Sequence, residues 1–241
     1  MDKLLEFEPH KGNILWYRGH RSTTWNVDPT IWREYGRRDE RNFVHRFRTR
    51  AAIRTLDAPK YDDHAHWLTL MRHYGLPTRL MDWSRSPLVA LYFALEYLLE
   101  DPKVSATDSV LWVLQPHLLN ATQRMKGIGS LTPSISSTTC SAAPTGAFYD
   151  GKEPNTVVAA MAHDVDLRIF VQQGCFTIHS NRTPLNKQPG HGRFLIPMLV
   201  PAGRARSMAN ELFVAGLRKG DIYPDLTNLA AELVETQKLF S

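Results

Sequence analysis

The sequence predicts an α+β fold, in which one β-sheet is flanked by helices, and three observations lead to this class. Short apolar or branched segments that are typical of strands occur in both halves of the chain. Longer segments with apolar residues at helical spacing and recognisable caps lie among them. Neither an internal repeat nor a clear linker divides the 241 residues. We therefore expect one domain over residues 1–241.

The first two predicted elements are a short strand and an arginine-rich helix. Residues 13–18 are mostly apolar and end at Gly19, as in a short buried strand. Asp39 can cap a helix that runs to about residue 56, and the spacing places Phe43, Phe47 and Ala51 on its inward face. The arginines of this segment occupy the remaining positions.

The next predicted elements carry the clearest capping signals in the chain. A helix over residues 63–74 ends at Gly75, which suits the left-handed conformation at the C′ position. Residues 76–83 are expected to be extended. Ser86 and Pro87 are an N-cap and a first helical residue, and the helix they begin should run to about residue 99.

The second half of the chain is predicted to complete the sheet. Residues 109–115 alternate and branch like a strand, and residues 120–155 are rich in small polar residues, which indicates a long irregular connection or lid. Further strands are expected at residues 167–171, 175–179 and 194–200. Two helices are expected at the end, one over residues 206–219 and one that begins near Asp225.

Composition excludes several classes of protein. Hydrophobic residues make up 43% and charged residues 22%, which suffices for a packed core. No apolar run approaches the roughly 20 residues that span a bilayer, and the N-terminus lacks a secretory pattern, so we expect a cytoplasmic protein without a membrane partner. The two cysteines, Cys140 and Cys175, form no CxxC pair, and the ten histidines show no HExxH spacing, so we expect no metal.

An excess of positive charge is concentrated in one segment. The formal net charge is +5, and seven arginines fall within residues 37–54. Helical spacing predicts that Arg38, Arg41 and Arg48 face water, where they could contact the phosphates of a nucleic acid. The alternative is an ordinary solvated helix face.

Three parts of the chain resemble the FRG-domain family. The segment 16–20 (WYRGH) stands where that family has its Phe-Arg-Gly triplet, with tyrosine in place of phenylalanine. The segment 72–84 (RHYGLPTRLMDWS) and the following 88–94 (LVALYFA) are similar to the longest motif of the family. A weaker similarity covers parts of residues 168–177 and 222–226.

The order of these motifs is also similar, at the level of analogy, to the Arg-Ser-Glu class of ADP-ribosyltransferases. In that class a strand arginine holds the phosphates of NAD, and a serine-containing strand, a helix and another strand follow. The similarity implies a split β-sheet core and NAD as the substrate. The class usually has a catalytic glutamate on a later strand, but the comparable residues 172–174 here are Gln-Gln-Gly.

These resemblances imply a set of site residues. Arg18 would bind the pyrophosphate of NAD, and Gly19 would let the ligand approach the backbone. The missing acid would be replaced by Asp82 or by Glu40, which suits the position of an acid in RES-type NAD-cleaving domains. The remaining candidates are a catalytic His73 and the NAD-binding residues Thr78, Arg79, Trp83, Ser84 and Gln173.

Structural explanations compete with most of these assignments. Arg18 could pair with Asp82, Trp83 could be a core residue rather than a stacking platform, and Glu40 could complement a helix dipole. At the level of function, we expect an NAD-dependent ADP-ribosyltransferase that modifies nucleic acid, such as a DNA base, in a toxin or phage-defence setting, with an antitoxin or regulatory protein as a further partner. The alternatives are an NAD hydrolase and a non-catalytic module that binds a nucleotide or nucleic acid.

Overall fold

The computed structural model describes residues 14–55, 58–101, 103–123, 131–162 and 167–238. Within these ranges the strands are β1 (Trp16–His20), β2 (Leu80–Ser84), β3 (Ser109–Leu114), β4 (Val157–Met161), β5 (Gly174–His179) and β6 (Leu195–Val200). The helices are α1 (Thr30–Glu34), α2 (Arg37–Ala51), α3 (His64–His73), α4 (Pro87–Glu100), α5 (Pro116–Thr122), α6 (Thr138–Ala142), α7 (Leu167–Val171), α8 (Ala202–Val214), α9 (Lys219–Ile222) and α10 (Leu226–Lys238). The α+β class is therefore confirmed.

All six strands form one antiparallel sheet in the order β4-β5-β2-β1-β3-β6. Most neighbouring strands pair along their whole length, as β1 and β3 do over five residue pairs. The two central strands are the exception, because β1 and β2 share only the pair Tyr17↔Ser84. We call the opening between them the seam.

Side chains on the two faces of the sheet enter different hydrophobic clusters. Met81 and Trp83 of β2 pack with Trp16 and Trp112 on one face. Leu80, which alternates with them, packs on the other face in a cluster that includes residues of α2, α3 and α6. A third cluster joins α4 to α8. The helices of the second face thus form two groups, α2, α3 and α6 in one and α4 and α8 in the other.

Helix α4 lies unusually close to β1, and Gly19 makes this possible. A Cβ atom at Gly19 would lie 1.9 Å from the carbonyl oxygen of Ala90 and 2.6 Å from the backbone nitrogen of Ala94. Ala90 and Ala94 are small residues one helical turn apart, so no large side chain of α4 stands between the helix backbone and the strand at this point. Gly19 therefore has a structural reason to lack a side chain, since it lets α4 pack against β1.

We expect Gly19→Ala to destabilise the protein by about 3 kcal/mol, because the added methyl group meets backbone atoms that cannot rotate away. Urea unfolding of the variant and the wild type measures this difference. Gly203→Ala is a matched control, since a Cβ atom there has no neighbour within 4 Å. A Gly19→Ala variant as stable as the control would show that α4 can shift without cost.

Two predicted elements differ from the observed ones. Helix α2 begins after Gly36 rather than at Asp39, whose carboxylate instead accepts a hydrogen bond from the Gly36 backbone nitrogen at 3.0 Å. Residues 167–171 form helix α7 and not a strand. None of the α7 side chains is fully buried. The apolar composition of this segment therefore does not come from a position inside the sheet, which is what we had inferred.

The connection over residues 120–155 is also more structured than its composition predicts, as far as the structure describes it. Its residues 131–155 contain α6 and a short 3₁₀ helix, Thr145–Ala147. Five of its apolar side chains are buried in the cluster beside α3, namely Ile135, Cys140, Ala143, Ala147 and Phe148. The expected irregular lid is therefore, in this part, a packed portion of the core.

No helix in the described ranges combines the length and the apolar composition needed to cross a membrane.

Candidate functional site

A cleft of about 460 Å³ opens at the seam between β1 and β2. Strand residues Arg18 and Asp82 line it, as do His73 at the end of α3 and Glu96 of α4. Further residues enter from α7 and from Tyr223, which follows α9. Arg18 and Asp82 therefore line one cleft, and this cleft separates the two helix groups on that side of the sheet.

Arg18 bridges the seam where the strands do not pair. Its Nη1 atom donates to the Asp82 backbone carbonyl at 2.7 Å, and its Nε atom donates to Nε2 of His20 at 3.0 Å. Burial lowers the pKa of Arg18 to about 10, with Asp82 opposing and Arg72 adding to that shift, so the guanidinium stays charged at neutral pH. Among the described residues Nη2 has no hydrogen-bond partner, which leaves it available to a ligand.

Asp82 is held in place by Arg72. The Nε and Nη2 atoms of Arg72 both donate to the Asp82 carboxylate, with Nε 3.0 Å from Oδ2. Burial alone would raise the pKa of Asp82, but the charges of Arg72 and Arg18 and the Arg72 hydrogen bonds outweigh it and lower the pKa. The carboxylate is therefore ionised, and much of its charge is already neutralised by Arg72.

Glu96 supplies a second carboxylate with different properties. The hydroxyl of Tyr223 donates to Glu96 Oε2 at 3.0 Å. Burial raises the pKa of Glu96 above its ordinary value, partly opposed by that hydrogen bond, and burial together with Glu96 raises the pKa of Tyr223. Since no arginine binds Glu96 directly among the described residues, it is the less neutralised acid of the cleft.

The charge of the lining is strongly positive. Five arginines line the cleft against the two carboxylates of Asp82 and Glu96, and the arginines are Arg18, Arg21, Arg33, Arg72 and Arg168. Aromatic rings of Trp25, Phe93 and Tyr223 lie among them, and the guanidinium of Arg168 is 5.1 Å from the centre of the Tyr223 ring. Arginine forks and aromatic faces together suit a ligand that contains both phosphate and a flat ring.

Four other predicted site residues line the cleft, namely Gly19, His73, Trp83 and Ser84, and the last three differ in exposure. His73 is exposed and lies edge-on to Tyr74, at 4.8 Å between ring centres. Trp83 is 3% exposed and its Nε1 atom donates to Thr177 Oγ1 at 2.9 Å, so its ring belongs to the core and is no stacking platform. The Ser84 hydroxyl is buried and donates to the Gln172 carbonyl at 2.7 Å.

Glu40, Arg79, Thr78 and Gln173 do not line the cleft. Glu40 and Arg79 are fully buried and form a two-point ion pair, with Nε–Oε1 at 2.9 Å and Nη2–Oε2 at 2.6 Å. Thr78 is buried and its hydroxyl accepts from the Leu80 backbone nitrogen at 3.3 Å. None of these four residues therefore has a place in the cleft, and the burial of Glu40, Arg79 and Thr78 indicates structural roles for those three.

The arginine surface of α2 also differs from the prediction. Arg38 faces water as predicted, but Arg41 is half-buried and forms an ion pair with Asp150 at 2.5 Å. Arg48 is buried, with its guanidinium 3.9 Å from the centre of the Tyr61 ring and its Nη2 atom donating to the Tyr61 carbonyl at 2.8 Å. Arg48 is thus a structural residue and cannot contact a nucleic acid.

Several residues of the cleft were missed at the sequence level. Glu96 had a usable signal, because it is the one charged residue within the apolar run 87–99. His20 lies directly after the Arg-Gly pair, yet nothing in the sequence indicates that Arg18 donates to it. Arg72, Arg168 and Tyr223 come from distant segments, and only the packing of α3, α7 and α9 brings them together.

Part of the chain is similar to a known protein family. Residues 13–103 match the family model of the FRG domain. No curated protein and no solved structure matches the chain. The matched segment contains β1, β2 and α4 and therefore the residues Arg18, Asp82 and Glu96, whereas Arg168 and Tyr223 of the same cleft lie outside it.

Proposed function

From the FRG domain of residues 13–103, we propose that this protein binds NAD in the seam cleft and transfers ADP-ribose from it, with nucleic acid as the acceptor. One observation carries the proposal. Five arginines and only two carboxylates line a cleft that also presents aromatic rings, and this combination suits a dinucleotide with a charged diphosphate and flat bases.

Arg18 is the residue that we assign to the diphosphate. Its guanidinium is fixed by Asp82 and His20 through two hydrogen bonds, so little conformational entropy is lost when the free Nη2 atom binds a phosphate oxygen. Arg33, which is 3.5 Å from Asp28, and Arg168 supply further positive charge at the same cleft. The aromatic rings beside them would contact the bases.

The chemical step requires a carboxylate. Cleavage of the bond between nicotinamide and ribose sends the bonding electron pair to the nicotinamide nitrogen and leaves positive charge on the ribose. Glu96 is better suited than Asp82 to stabilise that charge, because Arg72 already neutralises Asp82. A nucleophile of the acceptor then forms the new bond to the ribose and loses its proton.

A second candidate function is a module that binds a nucleotide without reacting with it. The two-point contact between Arg72 and Asp82 favours this alternative, because a carboxylate so engaged has little charge left to stabilise a cationic intermediate. An NAD hydrolase, in which water replaces the nucleic acid, would use the same cleft and the same Glu96.

Incubation with NAD labelled in its adenosine half distinguishes these functions. Single-stranded DNA, RNA and protein are added in separate reactions, and mass spectrometry follows nicotinamide, free ADP-ribose and modified acceptor. We expect nicotinamide release together with a modified nucleic acid, and both should be lost in Glu96→Gln. Free ADP-ribose alone would identify a hydrolase, and NAD that binds but stays intact would identify the non-catalytic module.

Replacement of Arg18 by glutamine is expected to weaken NAD binding about 30- to 150-fold, since a charge-assisted contact to phosphate contributes about 2–3 kcal/mol. Isothermal titration calorimetry measures the affinity, at a temperature where thermal melting shows the variant to be folded. Arg204→Gln on α8 removes the same charge from an exposed position outside the cleft and should bind NAD as the wild type does. Equal affinities of the two variants would exclude Arg18 from the ligand site.

A further inference from the structure

A second concave surface lies beside the cleft, between α2 and the end of α3. It is a groove of about 610 Å³ with an apolar floor, to which Phe43, Phe47, Leu70 and Leu76 contribute. Tyr74 stands at its side and is 67% exposed.

One wall of the groove is a row of arginines. Arg46 and Arg50 of α2 and Arg54, which lies three residues past the end of α2, line it at intervals of four residues, and all three are exposed. Four residues of helix advance about 6 Å, so Arg46 and Arg50 are closely spaced. The Nη1 atom of Arg54 donates to the Arg50 backbone carbonyl at 2.8 Å, which holds the third charge beside them. Within the described ranges none of the three forms an ion pair with a carboxylate. The row is therefore available to an anionic partner of repeating charge.

The groove and the cleft meet at the turn that ends α3. His73 and Gly75 line the cleft, whereas Tyr74 and Leu76 line the groove. The rings of His73 and Tyr74 are nearly perpendicular, with an angle of 89° between their planes. A chain-like ligand in the groove can therefore continue past Tyr74 into the cleft without crossing a wide stretch of protein surface.

We propose that this groove binds a single strand of nucleic acid. Its phosphates lie along Arg46, Arg50 and Arg54, and its bases face Tyr74 and the apolar floor. This binding is independent of NAD, and only the role of the strand as the acceptor depends on the function proposed above. The assignment moves the nucleic-acid surface from Arg38, Arg41 and Arg48 to the opposite edge of the same helix.

A single strand fits the groove better than the other anionic polymers do. A duplex keeps its bases stacked inside and would leave the apolar floor and Tyr74 uncovered. An acidic helix of a partner protein could bury the floor, but it offers no flat group for a tyrosine that stands out of the surface. Basic side chains that follow a backbone, together with aromatic rings that contact bases, are typical of single-strand binding.

Fluorescence anisotropy with a labelled 12-nucleotide oligothymidylate tests the proposal. The wild type should bind it with a salt dependence of about −2 in log K against log salt, since three phosphate contacts contribute roughly −0.7 each. Arg46→Gln/Arg50→Gln should reduce the affinity at least tenfold and make the slope shallower by about 1.4. Tyr74→Ala should weaken binding about fivefold or more, because base stacking is lost.

The matched control is Arg38→Gln/Arg204→Gln, which removes the same charge from exposed positions outside the groove and should bind like the wild type. Competition with a 12-base-pair duplex and with a poly-glutamate peptide should require at least tenfold more competitor than with the unlabelled strand. No binding at 50 mM salt, an unchanged Arg46/Arg50 variant, or equal competition by duplex or peptide would each overturn the proposal. NAD titration of the groove variants distinguishes the two proposals. Variants that lose strand binding but keep the NAD affinity of the wild type would support the groove. A wild type that binds the strand but no NAD would contradict only the proposed function.

Discussion

Replacement of Arg79 by methionine is expected to destabilise the protein by about 3–5 kcal/mol. Arg79 and Glu40 are both fully buried, and Glu153, whose side chain is 4% exposed, binds Nη1 of the same guanidinium at 2.5 Å. Burial alone would lower the pKa of Arg79, but the hydrogen bonds and charges of Glu40 and Glu153 raise it, so the residue is cationic inside the protein. Methionine would leave two buried carboxylates without their shared cation.

Urea unfolding measures the loss, and two further variants identify its cause. Arg37→Met removes a half-exposed arginine 3.1 Å from the same Glu153 and should cost less than about 1 kcal/mol, as exposed ion pairs do. Glu40→Gln/Arg79→Met should be more stable than Arg79→Met alone, because one uncompensated charge has been removed. If Arg79→Met lost no more stability than Arg37→Met, the three-residue ion cluster would not be a determinant of folding.

Acidification from pH 7.5 to pH 5 is expected to destabilise the protein by several kcal/mol. The responsible residues are His20, which is 5% exposed, and His179, which is fully buried. Burial lowers the pKa of both to about 3, and positive charges add to this, Arg18 and Arg33 for His20 and Arg18 and Arg79 for His179.

The hydrogen bonds of these two rings explain why they stay neutral. Nε2 of His20 accepts from Arg18 at 3.0 Å. The Thr177 hydroxyl accepts from Trp83 at 2.9 Å, so its own proton can be donated to Nε2 of His179, also at 2.9 Å. Protonation of His20 at Nε2 would replace this acceptor by a donor that faces the Arg18 donor.

The sign of the pH effect follows from the unfolded state, in which a histidine binds its proton near pH 6.5. Between pH 3 and 6.5 the unfolded chain therefore holds protons that the folded chain does not, so stability falls as the pH is lowered through this window. At pH 5 the two histidines together lower the free energy of unfolding by about 4 kcal/mol, since each contributes roughly 1.4 kcal/mol per pH unit below 6.5. Burial raises the pKa of Asp28 and Glu96, and both offset part of this loss.

Urea midpoints at pH 7.5, 6 and 5 measure the effect. His20→Gln and His179→Gln should each remove about half of the pH dependence, whatever their stability at pH 7.5. The exposed His45 provides the control, and His45→Gln should leave the pH dependence unchanged. A midpoint that stays constant between pH 7.5 and 5 would contradict the neutral, buried state of the two rings.

Local signals in the sequence were sufficient for much of the fold. Ser86 accepts from the Val89 backbone nitrogen as an N-cap, and Gly75 has the left-handed φ of 80° expected after α3. The strand predicted at residues 167–171 was wrong because a segment of five residues, four of them apolar, is too short to distinguish a strand period from a helical one. Buried residues of the segment 131–155 were missed because small side chains such as Ala143 and Ala147 can be core residues only in the context of their neighbours.

The site was predictable to the extent that its residues lie in segments that form strands. Arg18 and Asp82 could be paired because each stands in an apolar segment that had to enter the sheet. Glu40 and Arg79 were assigned catalytic and NAD-binding roles because both are charged residues in or near motifs. A sequence pattern cannot show that two charges 39 positions apart neutralise each other. The second acid, Glu96, needed the position of α4 over the seam, which depends on Gly19.

The seam also determines how the chain can be divided. The three strands on one side of it are β4, β5 and β2, and those on the other side are β1, β3 and β6, so the polypeptide crosses the seam four times on its way from β1 to β6. No single cut separates the two half-sheets into independent fragments. Residues 13–103 contain β1 and β2 but neither β3 nor β5, the neighbours with which those strands pair over five residues each. The segment that matches the FRG model is therefore a stretch of sequence whose sheet is completed by the rest of the polypeptide.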